Sequence, residues 1–174
     1  MTAQTFRGES VHKVDAKGRV SIPALFRRVL EASDPDWTEG LNPNLTLVYG
    51  GKKQNYLEAY SVEAIADVDA RIAKLPRGSK PRRALEFLFN GQAQPMQVDE
   101  TGRLVLSAKL REKAGITGEA CFLGTGDTFQ ILSPEAFADK AADIEGWMDD
   151  LGEDEDIDPL MLLEMNDTTR VQAE

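Results

Sequence analysis

The stretch Val14-Asp-Ala-Lys-Gly-Arg-Val-Ser-Ile-Pro-Ala-Leu-Phe-Arg27 occurs a second time as Val98-Asp-Glu-Thr-Gly-Arg-Leu-Val-Leu-Ser-Ala-Lys-Leu-Arg111. The valine, aspartate, glycine, alanine and both arginines are identical, and most of the other positions keep their apolar or polar character. An internal repeat indicates an architecture in which each copy is one unit that buries its apolar face against the other.

The similarity continues beyond the quoted stretch, at a shorter offset. Leu47-Val-Tyr-Gly resembles Cys121-Phe-Leu-Gly, and Leu57-Glu-Ala-Tyr-Ser-Val-Glu-Ala resembles Phe129-Gln-Ile-Leu-Ser-Pro-Glu-Ala. The shorter offset places an insertion in the first copy, and the loop Ser33–Asn44 is its most plausible position.

Both copies predict the same local structure. A short alternating strand leads into Asp-x-x-Gly, in which Asp caps a turn and Gly adopts positive φ. A second strand follows, Arg19–Ile22 or Arg103–Leu106, and then a brief helix, a glycine-bearing hairpin and a closing helix. Serine or proline opens these helices, and Gly115 ends one of them. Between the copies, Ser79–Asn90 is predicted as a further helix.

One copy is too small to bury a core and would leave strand edges open, so the two must combine. We therefore expect an α+β unit whose halves interlock by pseudo-twofold symmetry. This arrangement would present two equivalent turns, with Arg19 and Arg103 in matching positions.

The net charge of −10 is unevenly distributed along the chain. From Pro134 onward there are 14 acidic and 2 basic residues, whereas Met1–Leu30 holds six basic and two acidic residues. A basic N-terminal stretch is compatible with a nucleic-acid partner despite the acidic total. The acidic segment Asp149–Asp158 is expected to be solvated and flexible.

Other features narrow the class of protein. No apolar run approaches the roughly 20 residues of a membrane-spanning helix, and the N-terminus lacks the apolar core of a secretory signal. Cys121 is the only cysteine and His12 the only histidine, so neither a disulfide nor a metal site is expected. No cofactor-binding motif or acid–base pair is present either, and we therefore expect a cytoplasmic protein that is not an enzyme.

The doubled motif resembles the MraZ family of bacterial transcriptional regulators. The matching residues are Phe6-Arg-Gly, Asp15-Ala-Lys-Gly-Arg19 with Ser-Ile-Pro, Asp99-Glu-Thr-Gly-Arg103, Arg82-Arg-Ala-Leu-Glu-Phe-Leu-Phe and Ala114-Gly-Ile. The resemblance spans about Phe6 to Phe137. It implies two tandem AbrB-like swapped-hairpin modules, residues 6–66 and 93–140, which form one pseudo-twofold, β-barrel-like unit. Connecting helices (67–92) and an acidic C-terminal tail (141–174) flank these modules.

The same resemblance implies a function. Members of this family bind short direct repeats in double-stranded DNA as ring-shaped homo-oligomers, and we expect an octamer-class ring. Such a protein would be associated with the nucleoid and would repress the division and cell-wall gene cluster that contains its own gene. No cofactor and no membrane partner are implied.

The candidate DNA-contacting residues are Arg19, Arg103, Lys17, Lys13 and, more weakly, Arg7. Asp15, Gly18, Asp99 and Gly102 are candidates for forming the turns. Spacing alone favours another role for the two arginines, an ion pair with Asp15 or Asp99 inside the hairpin. The resemblance favours DNA contact, and the two roles can coexist.

Two other functions remain open on the residues alone. An AbrB-like antitoxin would share the fold and the DNA binding, but usually carries one module per chain. A ring whose modules serve only assembly or partner binding would share the fold and not bind DNA.

Overall fold

The computed structural model describes residues 5–152 and 158–165. The chain divides into two compact units, Met1–Phe137 and Ala138–Glu174. The first unit contains both copies of the repeat and is a mixed α+β structure.

Within the described residues, eight strands form two antiparallel sheets. The strands are β1 (Glu9–Lys13), β2 (Arg19–Ser21), β3 (Asn44–Val48), β4 (Leu57–Ser61), β5 (Ala93–Gln97), β6 (Arg103–Val105), β7 (Glu119–Gly124) and β8 (Thr128–Leu132). Six of them form one sheet in the order β1-β7-β8-β4-β3-β5, and β2 pairs with β6 in a separate two-stranded sheet.

The helices follow the same repeat. They are α1 (Ala24–Ala32), α2 (Val62–Ala73), α3 (Lys80–Glu86), α4 (Ala108–Ala114) and α5 (Pro134–Gly152). The side chains of Ser61, Ser107 and Ser133 each accept a hydrogen bond from the backbone N–H three residues later, as their predicted capping role requires. Gly115 ends α4 at φ 63°, as predicted.

Two helix predictions need correction. The helix predicted over Ser79–Asn90 ends as an α-helix at Glu86 and continues as a π-helix over Phe87–Gly91. The segment Asp149–Asp158, expected to be flexible, begins inside α5, which extends to Gly152. Residues 153–157 of that segment lie outside the described residues.

Strand pairing shows how the copies combine. The first strand of each copy pairs with the third strand of the other copy: β1 with β7 and β5 with β3. The two fourth strands, β4 and β8, pair at the centre of the sheet. The strand order is therefore palindromic about the β4–β8 pair, as a pseudo-twofold relation between the copies would require.

The barrel-like expectation was wrong in one respect, because the described residues form no closed barrel. The large sheet ends at β1 and β5, and Val14 and Val20 form only an isolated bridge between β1 and β2. The three-residue strands β2 and β6 pair with each other in the separate two-stranded sheet. Pro95, in the middle of β5, suits such an edge because it has no N–H to offer a further strand.

A single core lies between the sheets and the helices. Phe6, Phe26 and Phe129 pack against one another with ring centroids 4.9–5.4 Å apart. Val20 and Leu104, from the centres of β2 and β6, are 1% and 0% exposed. Because successive residues of a strand point to opposite faces, burial of these two fixes which face of the β2–β6 ribbon is outward.

We expect Gly18→Ala to destabilise the protein more than Gly102→Ala. Both glycines have positive φ, 83° and 79°, which costs a non-glycine residue about 1–2 kcal/mol. A Cβ at Gly18 would also lie 2.0 Å from the carbonyl oxygen of Leu106, whereas at Gly102 the nearest atom is Arg27 Nη1 at 3.5 Å. Overpacking of this kind costs roughly a further 1–3 kcal/mol. Urea unfolding of both variants measures the difference, and equal losses of stability would contradict the close packing of the Gly18 turn.

Candidate nucleic-acid interface

The first turn, residues 15–19, is organised by the carboxylate of Asp15. Its Oδ1 accepts hydrogen bonds from the backbone N–H groups of Lys17 and Arg19, each at 2.9 Å. Its Oδ2 accepts a 2.6 Å bond from Arg19 Nε. The backbone N–H of Gly18 donates to the carbonyl of Asp15 at 3.0 Å and closes the turn.

The second turn, residues 99–103, repeats this geometry with one change. Asp99 Oδ1 accepts from the backbone N–H groups of Thr101 and Arg103, again at 2.9 Å. Arg103 Nε donates instead to the hydroxyl of Thr101 at 2.8 Å. Asp99 Oδ2 lies 3.4 Å from Arg103 Nε. The backbone N–H of Gly102 donates to the carbonyl of Asp99 at 3.0 Å, so Asp15, Gly18, Asp99 and Gly102 all take part in the hydrogen bonds of the two turns.

The antiparallel pairing of β2 with β6 places the two turns at opposite ends of the ribbon, each next to the end of the other strand. Arg19 lies opposite Val105, and Ser21 lies opposite Arg103. The backbone N–H of Leu106 donates to Gly18 O at 2.8 Å, and that of Ile22 donates to Gly102 O at 3.0 Å. The backbone of each copy therefore donates a hydrogen bond to the turn of the other copy.

The outward face of the ribbon carries both arginines. Since Val20 and Leu104 are buried, Arg19, Ser21, Arg103 and Val105 share the opposite face. The arginine side chains are 39% and 36% exposed. Their terminal nitrogens make no hydrogen bond within residues 5–152 and 158–165, so these donors are available to a ligand.

The other cationic candidates are placed differently. Lys17 is exposed on the first turn, and Lys13 ends β1 beside it, with Glu119 opposite across the β1–β7 pair. Neither lysine forms an ion pair in the described part of the chain. Arg7 precedes β1 at its other end, roughly 20 Å from the turn by strand length, and is not brought to the ribbon.

Two arginines that hydrogen-bond to backbone carbonyls at or next to the turns were not predicted from the sequence as functional residues. Arg27 of α1 donates from Nη1 to the carbonyl of Asp99 at 3.2 Å, while its Nε pairs with Glu31 at 3.1 Å. At the equivalent position in α4, Arg111 donates to Leu106 O at 3.1 Å, and its Nε would lie 3.1 Å from a Cβ at Gly18. Their identity in both copies was the available signal, because it marked a position outside the turn that both copies need.

Arg82 lies in a stretch that carries the family resemblance, and its guanidinium makes hydrogen bonds within the protein. Its Nη1 donates to the carbonyl of Leu75, at 2.8 Å, just beyond the C-terminal end of α2. The side chain is 15% exposed. Its contacts therefore indicate a role in fixing α2 against α3.

The turn carboxylates are stabilised in their ionised form. Backbone N–H donation from Arg19, with the ion pair to its side chain, lowers the pKa of Asp15 below the ordinary value of 3.8. Backbone N–H donation from Arg103 lowers the pKa of Asp99 in the same way. Both turns therefore keep their charge and shape throughout the neutral range.

We expect the double variant Asp15→Asn/Asp99→Asn to change the pH dependence of stability. A lowered folded-state pKa contributes stability above the ordinary aspartate pKa, and this contribution is lost as pH falls through the folded-state value. Asparagine keeps an acceptor oxygen but no titratable charge. In urea unfolding between about pH 2 and pH 7, the variant should be less stable near neutrality, with the two curves converging in acid. Parallel curves would contradict the assignment.

Comparisons with known proteins identify the family of this chain. A family model described as "MraZ protein, putative antitoxin-like" matches residues 89–147. A transcriptional regulator MraZ of Ruegeria sp. (strain TM1040) is 59% identical over 160 residues, 91% of this chain and 95% of that protein. The MraZ regulators of Ruegeria pomeroyi and Parvibaculum lavamentivorans are 55% and 34% identical, over 93% and 81% of this chain and 96% and 83% of their own lengths. The chain belongs to the MraZ family of transcriptional regulators.

Proposed function

We propose that this chain binds DNA sequence-specifically and represses transcription of the division and cell-wall gene cluster that contains its own gene. Its target is a set of short direct repeats in double-stranded DNA, and it works as a ring-shaped homo-oligomer of octamer class. The protein acts in the cytoplasm, on the nucleoid, without an enzymatic step.

The observation that carries this proposal is the pair of arginines on one face of one ribbon. A two-stranded ribbon is narrow enough to enter the major groove of B-DNA. Arginine suits that position because its planar fork binds a phosphate or bonds bidentately to guanine O6 and N7. Lys17 is exposed on the same turn as Arg19, and Lys13 is exposed at the end of the strand that leads into that turn, so both would add phosphate contacts.

The exchange of first strands between copies supports the swapped-hairpin interpretation of the fold. In a swapped arrangement, neither module (residues 6–66 or 93–140) completes its own sheet, as the β1–β7 and β5–β3 pairs require. The two turns then have a fixed spacing, because both are parts of one ribbon.

The small number of cations at each ribbon is a physical reason to pair a ring with repeated DNA sites. Few phosphate contacts give weak binding at physiological salt. Several identical subunits on repeated sites raise affinity through effective concentration, without any new type of contact. The direct repeats and the ring are therefore two parts of one mechanism in this proposal.

An antitoxin is the second candidate, favoured by the wording of the matching family model. It would keep the DNA-binding ribbon and add a partner protein bound elsewhere on the chain. A stoichiometric partner in the native complex purified from its own cells, together with growth arrest when this gene alone is deleted, would favour it.

We expect Arg19→Ala/Arg103→Ala to abolish binding to the DNA upstream of this protein's own gene. Affinity should fall about tenfold to a hundredfold for each arginine in a mobility-shift titration. Arg71→Ala is the matched control. Arg71 also pairs with an aspartate four residues earlier, Asp67, but its side chain is 70% exposed on α2, away from the ribbon.

Assembly is measured in parallel by analytical ultracentrifugation. Unchanged assembly without DNA binding supports the ribbon as the DNA site. No binding by the native oligomer even at low salt would refute the DNA-binding function and leave a scaffold or partner-binding role.

A further inference from the structure

The two turns are alike in backbone and opposite in charge. Residues 13–19 contain Lys13, Lys17 and Arg19 against one acid, Asp15, whereas residues 97–103 contain Arg103 against two acids, Asp99 and Glu100. The first segment is therefore net positive and the second net negative. Glu119, which faces Lys13 across the sheet, reduces this difference without reversing it.

Neutral hydrogen-bonding groups replace the lysines at the second turn. Gln97 stands at the position of Lys13, and Thr101 at that of Lys17. Amide and hydroxyl groups both donate and accept, as base edges do, and they attract phosphate far less than an ammonium group does. Glu100, exposed on this turn, would repel a phosphate.

The insertion in the first copy, the loop Ser33–Asn44, lies beside the second turn. The backbone N–H of Val98 donates to Pro43 O at 3.1 Å, and Gln97 Nε2 donates to Asn42 O at 3.1 Å. At the first turn the corresponding bond runs from Val14 N–H to Gly118 O, at 2.9 Å. Only the second turn is therefore flanked by the long loop.

The insertion loop is held in place. Asp34, which is 5% exposed, accepts hydrogen bonds from the backbone and the side-chain amide of Asn44, at 3.1 and 3.2 Å. The indole N–H of Trp37 donates to Leu41 O at 2.7 Å. These two contacts lie on either side of Asn42 in the chain and restrict the loop that carries it.

A cleft results between the loop and the turn. Its volume is about 400 Å³. The residues that line it are Asn42, Gln97, Val98, Asp99, Glu100, Thr101 and Arg103. The side-chain amide of Asn42 makes no hydrogen bond within the described residues. The cleft thus combines an arginine fork, two amides, a hydroxyl and carboxylates, the groups that bond to guanine, adenine and cytosine edges.

We propose that the two turns have different roles in binding DNA. The first, through Arg19, Lys13 and Lys17, binds phosphates and supplies affinity without sequence preference. The second, through Arg103 with Gln97 and Asn42, contacts base edges and supplies the sequence preference. This inference rests on the proposed DNA-binding function, and it assigns specificity to residues of the cleft outside the doubled motif.

Salt dependence and sequence preference separate the two roles in one experiment. Binding is measured by fluorescence anisotropy to the protein's own upstream DNA and to a shuffled duplex of the same composition, over a salt series. The variants are Arg19→Ala, Arg19→Lys, Arg103→Ala, Arg103→Lys and Gln97→Ala, with Arg71→Ala as control. Circular dichroism and sedimentation verify the fold and assembly of each.

Arg19→Ala should weaken binding to both duplexes equally. It should also lower the slope of log K against log salt by about 0.9 for each phosphate that the variant no longer neutralises. Arg19→Lys should retain most of the affinity, because a phosphate accepts a point charge. The ratio of affinities for the two duplexes should stay unchanged in both variants.

Arg103→Ala and Arg103→Lys should instead reduce that ratio about tenfold to a hundredfold, with little change in slope. Lysine does not replace a bidentate fork. Gln97→Ala should reduce the ratio by less.

Three results would overturn this assignment of different roles to the two turns. They are a native protein that binds both duplexes equally, a ratio that falls with Arg19 and not with Arg103, and equal effects of both arginines on slope and ratio. Absence of native binding to either duplex would instead refute the proposed function itself.

Discussion

The pairing of β2 with β6 is the interaction on which the rest of this structure depends. Each strand has only three residues, and its central side chain, Val20 or Leu104, is almost completely buried. The ribbon is thereby anchored on the common core. The carbonyls of Gly18 and Gly102 accept hydrogen bonds from the chain just after the opposite strand, so neither turn can form its full set of bonds without the other copy.

The same constraint explains why the repeat remains recognisable in the sequence. Gly18 has to be glycine because φ is positive and because Leu106 O occupies the space of a Cβ. Gly102 has positive φ but more room. Aspartate and arginine are needed at both turns, since one carboxylate serves two backbone N–H groups and lies against the guanidinium. The positions between them are free to differ, and there the copies have acquired opposite charge.

Much of this arrangement could be predicted from the sequence. The repeat predicts the two turns, the β-strands and the helix caps, because these depend on local chemistry and on the spacing of turn residues. The separate two-stranded ribbon could not be predicted, because it depends on which copy each strand pairs with. Neither could the support from Arg27 and Arg111, since a helical arginine gives no indication of which backbone carbonyl it will reach. The position of the insertion beside the second turn could not be predicted either, because it depends on contacts between the two copies.

The aspartate–arginine pairs do not compete with a ligand for the arginines, because the two interactions use different atoms of the guanidinium. Asp15 engages Arg19 at Nε, and Thr101 engages Arg103 at Nε, so the terminal nitrogens of both forks stay available. Binding at Nε also restricts the side chain before any ligand arrives, which lowers the entropic cost of binding. A lysine would have to make both contacts through the same nitrogen, without the planar fork of the guanidinium. The ion pair that spacing alone predicts is therefore compatible with the proposed DNA contact.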